Sequence, residues 1–270
     1  MPPAEEELRL SEAIALGLLH GPAELLPVSS SGHVTLVPWL LRWRYPALDG
    51  ELRKSFEVAL HAGTAAALLI ALRDEVGEAA HDFDLRRARL VVFSFLPPAA
   101  VAFALEGPIE RRLGRPGSIA VGLILGSVAM LAVDRRPQTR SRFEAGTLDA
   151  LLLGVAQATA LVPGVSRNGA TLVAARARGF TREDANVLSR HVALPIIVAA
   201  SLLKGVRVRS RGLPRGAGRA FVAGTAAAFG SSLLSTWLIR QVERDRSLAP
   251  YAAYRLALAG VVLRRLIVDR

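Results

Sequence analysis

Long apolar runs, each close to the length of a bilayer crossing and separated by short arginine-rich stretches, limit this chain's fold more than any other feature. They cover residues 56–72, 89–105, 117–133, 186–203, 219–239 and 251–268. An α-helix rises about 1.5 Å per residue, so about 20 residues span a hydrocarbon core roughly 30 Å thick. One such run is ordinary for a buried helix. A succession of them between charged loops predicts an all-α polytopic membrane protein with about six full transmembrane helices. Composition agrees, with 51% hydrophobic residues in 270 and a mean hydropathy of +0.35.

The net charge of +11 raises the question of nucleic acid. Only Lys54 and Lys204 of the 34 basic residues are lysines, and the arginines flank the apolar runs. Cations there anchor helices at lipid headgroups. No basic patch interleaved with aromatics is present, so nucleic acid is excluded as a partner. The basic residues divide nearly evenly between alternate loops, so charge assigns no orientation. Cysteine is absent, which excludes disulfides and thiolate-bound metals. The chain opens with Glu5, Glu6 and Glu7 and has no basic residue before Arg9, unlike a secretory signal peptide. Insertion is expected to rely on the spans.

Two further segments are apolar yet full of helix breakers. Residues 16–33 read LGLLHGPAELLPVSSSGH and residues 153–170 read LGVAQATALVPGVSRNGA. They align without a gap at an offset of 137 residues, matching Leu16, Gly17, Val28, Ser29 and Gly32 with Leu153, Gly154, Val165, Ser166 and Gly169. His20 falls on Gln157, which keeps a polar site there. The chain therefore reads as a single membrane domain, residues 1–270, made of two repeats at approximately 1–135 and 136–270. Three crossings per half would set the halves in opposite orientations, an inverted repeat. Pro22, Pro27 and the Ser29–Gly32 turn cannot continue a helix through lipid. Irregular backbone at membrane depth survives only against protein or a cavity. Both segments are therefore expected to be re-entrant helix pairs.

Glu24, Ser29, Ser30, Ser31, His33, Ser166, Arg167 and Asn168 lie in or beside these segments. Ionisable groups at that depth are costly and point to function. Arg167 is a permanent cation whose planar fork suits phosphate oxygens. Serine hydroxyls and turn amides add neutral donors. His33 can move a proton near neutral pH. Glu24 can hold a divalent cation or serve as an acid or base. Together they suggest phosphoryl transfer to water. Plainer readings stand beside this one. Serine runs end helices, a histidine at an interface is an anchor, and Glu24 with Arg167 makes a structural ion pair. Glu57 and His61 share a helical face, either supporting the site or forming a buried polar pair. The glycine and alanines of residues 62–67 suit close helix packing.

At AELLPVSSSGH (residues 23–33) and PGVSRNGAT (163–171) the sequence resembles the undecaprenyl-diphosphatase family, the integral-membrane phosphatases tied to bacitracin resistance. FEVALHAGTAAALL (56–69) and GFTREDANVLSRHVALPIIVAAS (179–201) extend the resemblance through essentially the whole chain. It implies hydrolysis of undecaprenyl diphosphate to the monophosphate carrier used in peptidoglycan synthesis, at the bacterial plasma membrane. By resemblance, Glu24, Ser30 and His33 are catalytic, Arg167 binds phosphate, and Glu24 holds a divalent metal such as Mg2+ or Ca2+. Ser29, Ser31, Ser166 and Asn168 are expected as further phosphate contacts, with His20, Glu57 and His61 behind them. The expected partner is a polyprenyl diphosphate lipid, and a homodimer is possible. Three positions depart from the family pattern: His20 replaces a glutamate, Asn168 a serine and His61 a glutamine. The His20 change leaves a second reading open, a polyprenyl-phosphate transporter or flippase of the same fold.

Overall fold

The computed structural model describes residues 7–81, 84–211, 216–244 and 247–269. Glu5 and Glu6 of the acidic opening stretch, and the outermost ends of the two proposed halves, lie outside the described residues. The chain is all-helical: α1 (Leu10–Leu25), α2 (Ser30–Leu40), α3 (Gly50–Ala71), α4 (Arg73–His81), α5 (Leu85–Leu113), α6 (Pro116–Asp134), α7 (Thr147–Thr159), α8 (Arg167–Ala177), α9 (Arg182–Arg211), α10 (Ala217–Leu234), α11 (Trp237–Arg244) and α12 (Ala249–Val268).

The chain is a membrane protein. Among the described residues, Leu85–Leu105, Pro116–Asp134 and Arg182–Leu203 are long and apolar enough to cross a bilayer. The expected span at 219–239 is instead two helices, α10 and α11, bent by 50° at their junction. The expected spans at 56–72 and 251–268 lie in the unbroken helices α3 and α12. Both fall short of a span by composition. α3 carries Glu51, Arg53, Lys54 and Glu57, and α12 carries Arg255, Arg264 and Arg265. The outer surface is apolar, with Phe103, Leu234 and Val222 exposed on it. That suits lipid rather than water.

The breaks inside 16–33 and 153–170 have local causes. Leu26 precedes Pro27 and is forced into extended backbone, which stops α1 at Leu25. Ser29 then turns the chain at φ 78°, and its Oγ accepts a hydrogen bond from the Gly32 amide at 3.3 Å to cap α2. In the second copy Gly164 takes φ +95° against the backbone of Ile119, where no side chain fits. Ser166 at φ 69° caps α8 through the Gly169 amide at 3.2 Å.

Each helix pair is fastened where it starts. Glu12, in the first turn of α1, accepts from the amides of Arg44 and Tyr45 just beyond α2, at 3.3 and 3.1 Å. Asp149, at the equivalent place in α7, accepts from Arg178 just beyond α8 at 2.7 Å and from Arg140 at 2.9 Å. The two pairs are embedded alike. α1 packs along α10 and α7 along α5, while α6 lies against α12 and α3 against α9 and α10. Small residues permit this closeness: a side chain at Gly63 would strike the backbone of Thr225 on α10.

Candidate active site

Ser30 and Arg167, 137 residues apart, are the first residues of α2 and α8. The left-handed serines before them aim both helix starts at one place. A non-glycine residue at positive φ costs about 1–3 kcal/mol and persists where its surroundings enforce it. Arg255 of α12 is one enforcer. It is fully buried and donates to Pro27 O (3.0 Å) in the first break and to Gly164 O (3.0 Å) and Val165 O (3.1 Å) in the second. A single guanidinium thus ties the two breaks together.

Ser30 and Arg167 converge on Glu24, in the last turn of α1. Ser30 Oγ donates to Glu24 Oε2, and Arg167 Nη2 donates to Glu24 Oε1 in a close ion pair. His61 Nε2 of α3 lies 3.5 Å from Glu24 Oε2. In each helix the serine cap occupies the third amide, and the first two amides have no partner within the helix. Two helix N-termini and a guanidinium make the place attractive to an anion.

The other expected residues separate into distinct roles. Ser29 and Ser166 each accept a backbone amide at Oγ as helix caps, which uses an oxygen lone pair and not the hydroxyl proton. Ser31 is half-buried in the first turn of α2. Asn168 commits its amide to protein, with Nδ2 donating to Leu25 O (3.0 Å) and Oδ1 accepting from Ser189 Oγ (3.2 Å). His33 is tied to the first break and to α12. Its Nδ1 donates to Ser29 O at 2.7 Å, and its Nε2 accepts from Tyr254 Oη at 2.7 Å, with the rings stacked. The carboxylate in contact with Ser30 is Glu24, while His33 bridges Ser29 and Tyr254. The Glu57 carboxylate pairs with Lys54 at 3.6 Å, while its backbone oxygen accepts from His61 Nδ1 at 2.8 Å and orients that ring.

His20, expected behind the site, is part of it. One ligand atom each from His20, Glu24 and His61 lies within 4.8 Å of the others. His20 Nδ1 lies 3.0 Å from Thr64 Oγ1, and its Nε2 is buried and finds no hydrogen-bond partner among the described residues. Two imidazoles with one nitrogen anchored and the other turned to a carboxylate fit a divalent ion.

Glu24, Arg167 and Asn168 form the polar end of a cleft whose walls include Leu68, Leu72, Leu194 and Ile197. Arg190 also lines it, held by Glu75 of α4 at 2.9 Å and Glu243 of α11 at 2.7 Å. Burial works to raise the Glu75 carboxyl, but hydrogen bonds from His191 and Arg190 outweigh it and hold it down at about 2. The Glu75 carboxyl therefore stays ionised at neutral pH. The sequence reading passed over Arg255, Tyr254, Thr64 and Arg190. Arg255 left a signal, as an arginine inside an apolar run. Thr64 and Tyr254 left none, being ordinary in helices of their kind.

The sequence family described as bacitracin resistance protein BacA matches residues 13–261. The chain belongs to this family. It is similar to an undecaprenyl-diphosphatase of Geobacter sulfurreducens, 36% identical over 94% of this chain and 97% of the relative. It is also similar to undecaprenyl-diphosphatases of Pelobacter propionicus, 36% identical over 95% and 97%, and of Thermomicrobium roseum, 35% identical over 93% and 96%. BacA membership spans both helix pairs and every residue of the Glu24 centre.

Proposed function

We propose that this chain hydrolyses undecaprenyl diphosphate to undecaprenyl phosphate and inorganic phosphate, recycling the lipid carrier of cell-wall synthesis in the bacterial plasma membrane. One observation carries the reading: the Ser30 hydroxyl and the Arg167 guanidinium meet on the Glu24 carboxylate. They do so at the polar end of a cleft with an apolar wall that suits a prenyl chain. The relatives' activity supports the same conclusion. Arg167 and the amides opening α2 and α8 would hold the diphosphate oxygens. Glu24 takes the Ser30 proton as Ser30 Oγ attacks the terminal phosphorus. The bond from that phosphorus to the bridging oxygen breaks, and the lipid monophosphate leaves with the proton that Glu24 took, which restores the carboxylate. Water then attacks the phosphoserine with Glu24 as base, and Glu24 passes that proton to Ser30 Oγ as inorganic phosphate is released. A divalent ion held by His20, Glu24 and His61 would supply positive charge to the phosphate oxygens.

In this reading the helix pairs α1–α2 and α7–α8 are re-entrant, and the halves form an inverted repeat crossing the membrane several times. The common offset and the fastening of each pair at Glu12 and Asp149 support that arrangement. All the named residues come from one chain, so the chemistry does not require a homodimer. The test is inorganic phosphate release from undecaprenyl diphosphate by the detergent-solubilised protein, across a series of divalent metals. Sustained release that is lost in Ser30→Ala is expected. No release with any metal, together with lipid movement in proteoliposomes, would replace hydrolysis with the transporter reading.

A further inference from the structure

We infer that His20, Glu24 and His61 form a metal site selective for borderline transition ions, of the zinc, iron(II) or cobalt(II) kind, over Mg2+ and Ca2+. The inference rests on the reading that a divalent ion assists this centre, and it specifies which class of ion. The donor set is two imidazole nitrogens and one carboxylate. Mg2+ and Ca2+ are hard ions that seek six or more oxygens. Two imidazoles with one carboxylate is a pattern that zinc and iron(II) accept readily, with open positions left for a substrate.

The second coordination layer is built for that role. A metal-binding histidine usually donates its other N–H to a carbonyl, hydroxyl or carboxylate, which fixes the tautomer. His61 Nδ1 donates to Glu57 O at 2.8 Å, which turns Nε2 toward Glu24. His20 Nδ1 meets Thr64 Oγ1 at 3.0 Å, and Thr64 Oγ1 itself accepts from Ser232 Oγ at 3.0 Å. The second lone pair of Thr64 Oγ1 accepts from His20 Nδ1–H, which leaves the His20 Nε2 lone pair open to an ion. The decisive atom is His20 Nε2, fully buried with no partner among the described residues. A histidine kept only for packing would have both nitrogens satisfied or would give way to an apolar residue. The two rings meet edge to face at 4.4 Å between centroids, both beside Glu24. Ligand atoms on a common tetrahedral ion lie about 3.4 Å apart when each bond is about 2.1 Å, so atoms that lie within 4.8 Å of one another would draw together by up to about 1.4 Å on binding.

The experiment uses the full-length protein in detergent, stripped with chelator and free of lipid substrate. Zn2+ and Co2+ binding is measured by equilibrium dialysis with elemental analysis, alone and against a large excess of Mg2+ or Ca2+. Bound Co2+ is also followed by its visible absorption. Wild type is expected to retain one equivalent of Zn2+ or Co2+ that Mg2+ and Ca2+ do not displace. The cobalt form is expected to show the bands of nitrogen ligation. His20→Glu and His61→Gln should each weaken Zn2+ binding roughly tenfold or more, and His20→Glu should raise Ca2+ affinity. Thr64→Val, which removes the support of His20 and keeps its shape, should weaken Zn2+ binding by a smaller but measurable factor. Three results would overturn the inference: Mg2+ or Ca2+ bound as tightly as Zn2+, wild-type Zn2+ affinity in either histidine variant, or no ion bound by protein with intact helix content. Phosphate release is assayed separately. Zinc binding without hydrolysis would refute the proposed function alone, and hydrolysis supported best by Mg2+ would refute the metal assignment alone.

Discussion

The contact between Glu24 and Arg167 has two explanations, a structural ion pair or a working part of the phosphatase, and a double-mutant cycle separates them. The pair is largely buried, with Glu24 8% and Arg167 19% exposed at the side chain. Removing one partner of a buried pair costs about 3–5 kcal/mol, because the other charge is left uncompensated. The partial exposure of Arg167 lowers the expectation to about 2–4 kcal/mol for Glu24→Gln or for Arg167→Met. Replacing both charges by neutral groups of similar size is often close to neutral. The double variant should therefore recover stability to within about 1 kcal/mol of wild type. Activity should behave otherwise. Losing the Ser30 base is worth about 10²–10⁴ in turnover, and no neutral partner restores it. Arg167→Lys should fall between wild type and Arg167→Met, since a point charge does not reproduce bidentate contacts. Thermal unfolding followed by tryptophan fluorescence gives the stabilities, and phosphate release gives the rates. A double variant that regains turnover along with stability would make the pair purely structural. So would a Glu24→Gln protein within about threefold of wild-type turnover, far short of the loss expected for a missing base.

Three further outcomes follow from the geometry. Arg255→Met strips their donor from the carbonyls of Pro27, Gly164 and Val165; at about 1–3 kcal/mol per unsatisfied buried group, a loss of about 3 kcal/mol or more is expected, with slower phosphate release. An unchanged unfolding temperature would remove Arg255 from the role of tying the breaks. His33→Asn, whose amide N–H stands in for the imidazole Nδ1, should keep most turnover while His33→Ala loses it; equal loss in both would return His33 to proton transfer. Burial works to raise the Asp149 carboxyl, but hydrogen bonds from Arg140, the Gly146 amide and Arg178 hold it down at about 2. Its folded value lies below its unfolded one, so its contribution to stability is complete above pH about 4 and is lost as pH falls toward about 2. Asp149→Asn should lower the unfolding temperature at pH 7 and flatten the acid limb of the stability curve. An acid limb identical to wild type would refute this account of Asp149.

The helical class, the two broken segments and the meeting of Ser30 with Arg167 were legible because each rests on local chemistry. Pro27, Gly164 and the capping serines determine their own turns. The charge content of α3 and α12 was also present in the sequence, but the apolar residues around it masked its effect on the count of spans. The direction taken by His33 was not legible, because it depends on Tyr254, 221 residues away on α12. Placement of His20 in the cluster likewise needed Thr64 and His61, which reach it only when α3 packs beside α1. Side chains at one level of a helical bundle are chosen by packing angle and register, and neither is written in a single segment.

The offset of 137 residues relates the scaffold of the two halves, and the chemistry lies where that relation fails. Ser29 and Ser166 cap alike, and Glu12 and Asp149 fasten alike. Those tasks are the same at both ends, so the same kinds of residue serve. At the centre the two copies must differ. Two arginines opening α2 and α8 would hold an anion but provide no nucleophile, and two serines would lack the cation. A second carboxylate in place of Leu161, the counterpart of Glu24, would add repulsion to any phosphate approaching the first. His20 and Gln157 diverge in the same way. Gln157 spends its Nε2 on Ser94 O at 3.2 Å, holding α7 to α5. His20 keeps one nitrogen uncommitted beside Glu24 and His61. One backbone used twice brings two helix starts together, and unlike side chains at matched positions set a hydroxyl and a guanidinium on one carboxylate there.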